Sequence, residues 1–117
     1  MKLNLLNTVF IFPGQGSQMI GMGKELLLQY RIAEQTFQEA DSILGFALSK
    51  LMMEGAVDEL NDTVNTQPAL FVHSISSYRV FAHLYPGLQP AALAGHSLGE
   101  LSALAVAGAF PSKMDYV

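Results

Sequence analysis

The chain has 117 residues, half of them hydrophobic and 14% charged, with a formal net charge of −4. That acidic balance, with six basic residues scattered along the sequence, argues against a nucleic-acid partner. No cysteine is present, which excludes disulfides and thiol catalysis and leaves the compartment open on that ground.

The start, Met1-Lys2-Leu3-Asn4-Leu5-Leu6-Asn7, carries one charge and a broken apolar run, so it does not read as a targeting segment. The apolar stretch Val9 to Phe12, with Thr8 before it, predicts a first strand over 8–12, which ends in a Gly-rich loop, Pro13-Gly14-Gln15-Gly16-Ser17-Gln18. Helical spacing then runs over 24–44 through Leu27, Tyr30, Phe37, Ala40 and Leu44, until Gly45 interrupts it. Short helical turns are expected at 48–53 and 57–60, followed by a loop at Asn61-Asp62-Thr63. A long, largely apolar helix is expected over 67–85, with Thr66 as its cap ahead of Pro68. Ala69, Leu70, Val72, Ile75, Tyr78, Phe81 and Leu84 would cover much of its circumference, so it should be well packed. Tyr85-Pro86-Gly87-Leu88-Gln89-Pro90 breaks it. A second short strand at 91–94 and a helix at 100–107, stopped by Gly108, complete an α/β pattern. The sequence shows no repeat, no low-complexity tract and no internal domain boundary. The stretch 91–110 is interrupted by His96 and Glu100 and is too polar at its centre for a membrane span.

Between the second strand and its helix stands Gly95-His96-Ser97-Leu98-Gly99, the G-x-S-x-G pattern of a nucleophile elbow. In that device a serine sits on a sharp turn with its hydroxyl exposed, at a backbone cost of about 1–3 kcal/mol. Side chains two residues away on either side would collide, and Gly95 and Gly99 have none. The helix that starts there aims free N–H groups at developing negative charge. Ser97-Leu98-Gly99-Glu100 also fits a helix-capping box, and the residues leave both readings open. Under either, Glu100 is no catalytic candidate.

The Gly-rich loop is not a phosphate loop. Gln18 stands where the first glycine would precede Gly23-Lys24, and Glu25 replaces the Ser or Thr. Nor is it a dinucleotide fingerprint, because Met19 takes the third glycine position. Such a loop can present backbone N–H groups beside a nucleophile, or be an ordinary strand-to-helix turn. His96 is adjacent to Ser97 in a tight turn and projects elsewhere, so it is poorly placed as the general base. His73 and His83 lie ten residues apart, nearly three helical turns, and cannot form one site on that helix. Both are expected to be structural or surface residues. Three histidines at this spacing, without cysteine, give no metal site.

Taken together, Phe12-Pro13-Gly14-Gln15-Gly16-Ser17-Gln18, Thr66-Gln67-Pro68-Ala69 and Gly95-His96-Ser97-Leu98-Gly99-Glu100 resemble one family in order and spacing. It is that of the malonyl-CoA:acyl carrier protein transacylases, with the related acyltransferase domains of fatty acid and polyketide synthases. The likeness runs from about Thr8 to about Phe110. It implies an α/β-hydrolase-like core of parallel strands and flanking helices, of which 1–117 would be the N-terminal part of the large subdomain, without the ferredoxin-like subdomain. It also implies ping-pong transfer through an acyl-serine. Ser97 matches the nucleophile, and the backbone N–H groups of Gln15 and Leu98 match the oxyanion hole. Gly14, Gly16, Gln67 and His96 match residues around the site, His96 not as the base. No bound cofactor is implied. Malonyl-CoA would be the substrate and the phosphopantetheine of an acyl carrier protein the acceptor, in the cytoplasm. Leu98 fits the branched residue that accompanies malonyl use.

The family's carboxylate-binding arginine and general-base histidine fall beyond the twenty residues that follow Ser97. The tail Pro111-Ser112-Lys113-Met114-Asp115-Tyr116-Val117 departs from the family's usual continuation. The short lead after Met1 reads as a free-standing gene, and the length reads as a piece of a longer enzyme. The apolar fraction is higher than a self-contained domain of this length needs, so its faces expect partner elements. A complementary C-terminal portion of the same enzyme is therefore an expected partner, and little transfer by the chain alone is expected. Two rivals remain: an acyl hydrolase of the proofreading thioesterase kind, and a non-catalytic fragment that acts by association.

Overall fold

A computed structural model describes residues 7–108. The expectations about the first six residues and about the tail from 109 onward lie outside the described residues. The elements in chain order are β1 (Val9–Phe12), α1 (Lys24–Gln29), α2 (Arg31–Leu44), α3 (Leu48–Glu54), α4 (Val57–Asn61), α5 (Thr63–Leu84), β2 (Ala92–Gly95) and α6 (Leu98–Val106). The fold is α/β: the two strands pair in parallel and helices flank them. Parallel pairing demands a crossover, and all of α1–α5 supplies it. The register runs Val9 with Ala92 to Phe12 with Gly95, so both strands end at the same level.

Helix α5 is the centre of the molecule. Residues buried along it include Ala69, Leu70, Phe71, Val72, Ile75 and Val80, which is burial around most of its girth. Phe37 of α2, Leu48 and Met52 of α3 and Leu60 of α4 close the core against it. Polar contacts fix the layers. The Arg79 guanidinium donates to Glu39 Oε2 and to Thr36 Oγ1, each at 3.1 Å, tying α5 to α2. Ala47 cannot cap α3 with its side chain. Asp41 does so from α2, accepting from the Ser49 N–H at 2.9 Å and from its hydroxyl at 2.5 Å. Edge-to-face packing of Phe10 on Phe81, with centroids 4.9 Å apart, joins β1 to α5.

Two helices depart clearly from the sequence expectation. The helix expected over 24–44 breaks at Tyr30, whose backbone is extended (φ −129°, ψ 121°). The long helix starts at Thr63, four residues before the expected position, and holds Pro68 inside it. Its cap is Asp62, which accepts from the Val64 N–H at 3.3 Å. The buried Thr66 hydroxyl instead donates to the Leu60 and Asp62 carbonyls, so it joins α4 to α5. Leu84 does not join the packed surface and is 47% exposed. The last helix runs over Leu98–Val106, two residues earlier at its start and one at its end than the expected 100–107, and Gly108 beyond its cap has a φ of +87°, open to glycine and strained for other residues. No described helix is long and apolar enough to cross a membrane.

Candidate active site

The common end of β1 and β2 delivers two tight loops to one place, the position where open parallel sheets carry their sites. After β2 the chain turns at His96 and Ser97 and enters α6 at Leu98. Ser97 has φ 56° and ψ −115°, and it is the one residue other than glycine with positive φ among those described. It occupies the N-cap position of α6, yet its side chain makes no capping hydrogen bond. The backbone is that of an elbow, and the hydroxyl of the exposed serine is left for other work.

The two glycines are required by backbone contact. A Cβ on Gly95 would land on the Gly99 carbonyl group, and one on Gly99 would land on the Phe12 carbonyl oxygen. The turn is closed by the Gly99 N–H to the His96 carbonyl at 3.0 Å and the Glu100 N–H to the Ser97 carbonyl at 2.9 Å. The His96 N–H donates to the Phe12 carbonyl at 3.2 Å, which extends the strand pairing by one step and fixes the elbow to the end of β1.

The loop after β1 lies directly against this turn. Gly14 is buried on the His96 backbone, and a Cβ there would also come within 3.3 Å of His96 Nδ1. Its outer part is pinned to the α4–α5 junction. Gln15 Nε2 donates to Thr63 Oγ1 at 3.2 Å, and Gln18 Nε2 donates to Asn61 Oδ1 at 2.9 Å. Gly16, with φ +111°, donates its N–H to Gln18 Oε1 at 2.7 Å. Neither the Gln15 nor the Leu98 N–H finds an acceptor among the described residues.

The sequence-predicted residues are thus partly gathered. Gly14, Gln15, Gly16, His96, Ser97 and Leu98 share the end of the strand pair. Gln67 stands exposed on α5, one helical turn after Thr63, the residue that holds the Gln15 side chain. His73 is mid-helix and half-buried, and desolvation lowers its pKa from the ordinary 6.5. His83 is exposed in the last turn of α5. A groove of about 410 Å³ separates β1 from α5, lined by Phe10, Phe12, His73, Ser77, Tyr78 and Phe81 among others, and Ser97 is not part of its wall. Sequence reasoning missed Gln18, Asn61 and Thr63. The signal for Gln18 was its place in the loop motif that carries the family resemblance.

Chemically, two backbone donors on converging loops, beside an unbonded serine hydroxyl at the start of a nine-residue helix, can stabilise the oxyanion of a tetrahedral acyl intermediate.

Comparison with known proteins agrees with the geometry. A family model described as the acyl transferase domain matches residues 9–114. A malonyl CoA-acyl carrier protein transacylase of Haemophilus influenzae is 49% identical over 98 residues, which is 84% of this chain and 31% of that protein. The crystal structure of an acyl carrier protein S-malonyltransferase from Vibrio cholerae superposes with a TM-score of 0.82 at 51% identity, covering 86% of this chain and 32% of that one. A malonyl-transacylase solved in complex with a type II PKS acyl-carrier protein superposes at 0.80 with 47% identity, covering 86% and 32%. The chain therefore spans about a third of the length of the relatives it matches.

Proposed function

Because the chain belongs to the acyl transferase domain family, we propose that it carries the nucleophilic half of a malonyl-CoA:acyl carrier protein transacylase, as the N-terminal part of the large subdomain. The Ser97 hydroxyl attacks the thioester carbonyl of malonyl-CoA. The carbonyl oxygen becomes an oxyanion held by the Leu98 and Gln15 N–H groups. The coenzyme A sulfur leaves and takes up the proton given up by the Ser97 hydroxyl, and malonyl-Ser97 remains. The phosphopantetheine thiol of an acyl carrier protein attacks that ester in turn, and Ser97 is regenerated. The observation that carries this reading is the Ser97 backbone itself, a strained φ of 56° with the side chain withheld from capping.

Gln67 acts on this reading as a positioning residue near the site, and Leu98 contributes apolar bulk beside the acyl group. His96 supports the loop contact with Gly14 and does not take the serine proton. The general base and the group that pairs with the malonyl carboxylate come from outside residues 1–117, so this polypeptide acylates slowly and turns over poorly. Removing one member of a catalytic triad leaves roughly 10³–10⁴-fold acceleration over water, and the loss of more than one group should leave less. The reaction is expected in the cytoplasm.

Incubation with malonyl-CoA followed by intact-mass measurement tests the proposal. One malonyl increment on the wild-type chain, absent from Ser97→Ala, is the expected result. An increment that persists in Ser97→Ala overturns it, as does the absence of any increment on a chain verified as folded. Steady release of free malonate without carrier protein would instead identify a hydrolase.

A further inference from the structure

The loop after β1 contains several N–H groups, and something must select the one that faces the oxyanion. The two amides that follow Gln15 are both engaged within the loop: Gly16 donates to Gln18 Oε1 at 2.7 Å, and Ser17 donates to the Gly14 carbonyl at 3.4 Å. Gln15 itself has a free N–H among the described residues. Among the described residues, Gln18 is the side chain that bonds both the loop backbone and its support. Its carbonyl end holds Gly16, and its amide end is held at 2.9 Å by Asn61 at the end of α4, 43 positions away. The Gly16 N–H can only donate, so it fixes the oxygen end of the Gln18 amide toward the loop, and Asn61 Oδ1 accepts from the other end and holds the side chain against α4. The Gln15 side chain is tethered separately to Thr63 Oγ1 at 3.2 Å.

We propose that Gln18, held by Asn61, is a positioning residue for acyl transfer: it removes the Gly16 N–H from competition and holds the Gln15 N–H toward the oxyanion. The inference rests on the function proposed above and adds to it a pair of residues that do not touch the substrate. Both side chains lie at least partly in solvent, so the effect is on alignment more than on folding.

Four variants separate the relay from a merely structural role. Gln18→Met and Asn61→Leu keep the size and abolish the hydrogen bonds. Gln18→Glu keeps the acceptor for Gly16, and the Asn61 amide can rotate to donate to it. Asn61→Asp keeps the acceptor for Gln18 Nε2. Two readouts apply to the 117-residue chain: the rate at which a fluorophosphonate probe labels Ser97, followed by intact mass, and amide hydrogen exchange at Gly16. Gln18→Met and Asn61→Leu are expected to label about tenfold more slowly, short of the roughly 10²–10³-fold loss caused by deleting an oxyanion donor outright. In both, Gly16 exchange should rise by a similar factor. The two conservative variants should behave as wild type. Wild-type labelling with equal rates in all four variants overturns the relay and leaves the acyl-transfer reading standing. Unchanged Gly16 exchange in Gln18→Met also overturns it. A wild-type chain that is folded and never labelled at Ser97 overturns both.

Discussion

Ser97 carries a side chain in a backbone region that disfavours a Cβ, while its neighbours at 95 and 99 have no Cβ at all. The strain is local, so it can be measured by removing the Cβ. Ser97→Gly is expected to be more stable than Ser97→Ala by about 1 kcal/mol, since glycine accepts positive φ freely. Urea denaturation of the two variants decides this, and equal midpoints would mean that the turn is relaxed. Much of this site was legible in the sequence because its constraints are short-range: five consecutive residues contain the strained serine and both required glycines. The loop Gly14-Gln15-Gly16 was legible for the same reason. Gln18 and Asn61 were not, because their bond joins positions 43 apart and each residue alone looks like an ordinary polar loop position.

Among the elements, α5 departs furthest from its sequence reading. Proline is most at home in the first turn of a helix, and a start just before Pro68 follows from that preference. In the fold Asp62 caps the helix earlier, and the buried Thr66 bridges back to α4, so tertiary contacts carry the helix across the proline. The break at Tyr30 was hidden because the apolar spacing continues in phase on both sides of it. His73 gives α5 a pH signature. It lines the groove against β1 and also a cleft formed by Gly21, Gly23, Lys24, Glu25 and Leu26. Burial holds its pKa below 6.5. Above pH 6.5 the imidazole is neutral in both folded and unfolded chains and contributes nothing. As the pH falls below 6.5, the unfolded chain binds a proton that the folded chain refuses, so stability is lost until the lowered folded value is reached. The melting temperature of the wild type should therefore fall faster below that pH than that of His73→Gln. Parallel curves would show that His73 is not the group responsible.

At the scale of the whole molecule, the described residues cover the strand pair on one side only. Val9 and Ile11, 49% and 74% exposed, lie in register with the exposed Ala92 and Ala94 and face the same way. Parallel sheets normally bury both faces. The surplus of apolar residues read from composition is visible here as a bare face that another layer of chain would suit. The 117-residue chain is expected to self-associate through it, and Ile11→Lys should shift sedimentation toward the monomer without lowering thermal stability. A wild type that sediments as a monomer at high concentration would count against this. The strand register has one more consequence, and it concerns time. Val9 meets Ala92 only after more than eighty intervening residues have been gathered in, and the Gly99 contact on Phe12 depends on that pairing. Closing so long a loop yields no strand contacts until the end of the search, so such pairings form slowly. Probe reactivity at Ser97 should then emerge during refolding in step with the slowest phase, making the serine a clock for completion of the fold.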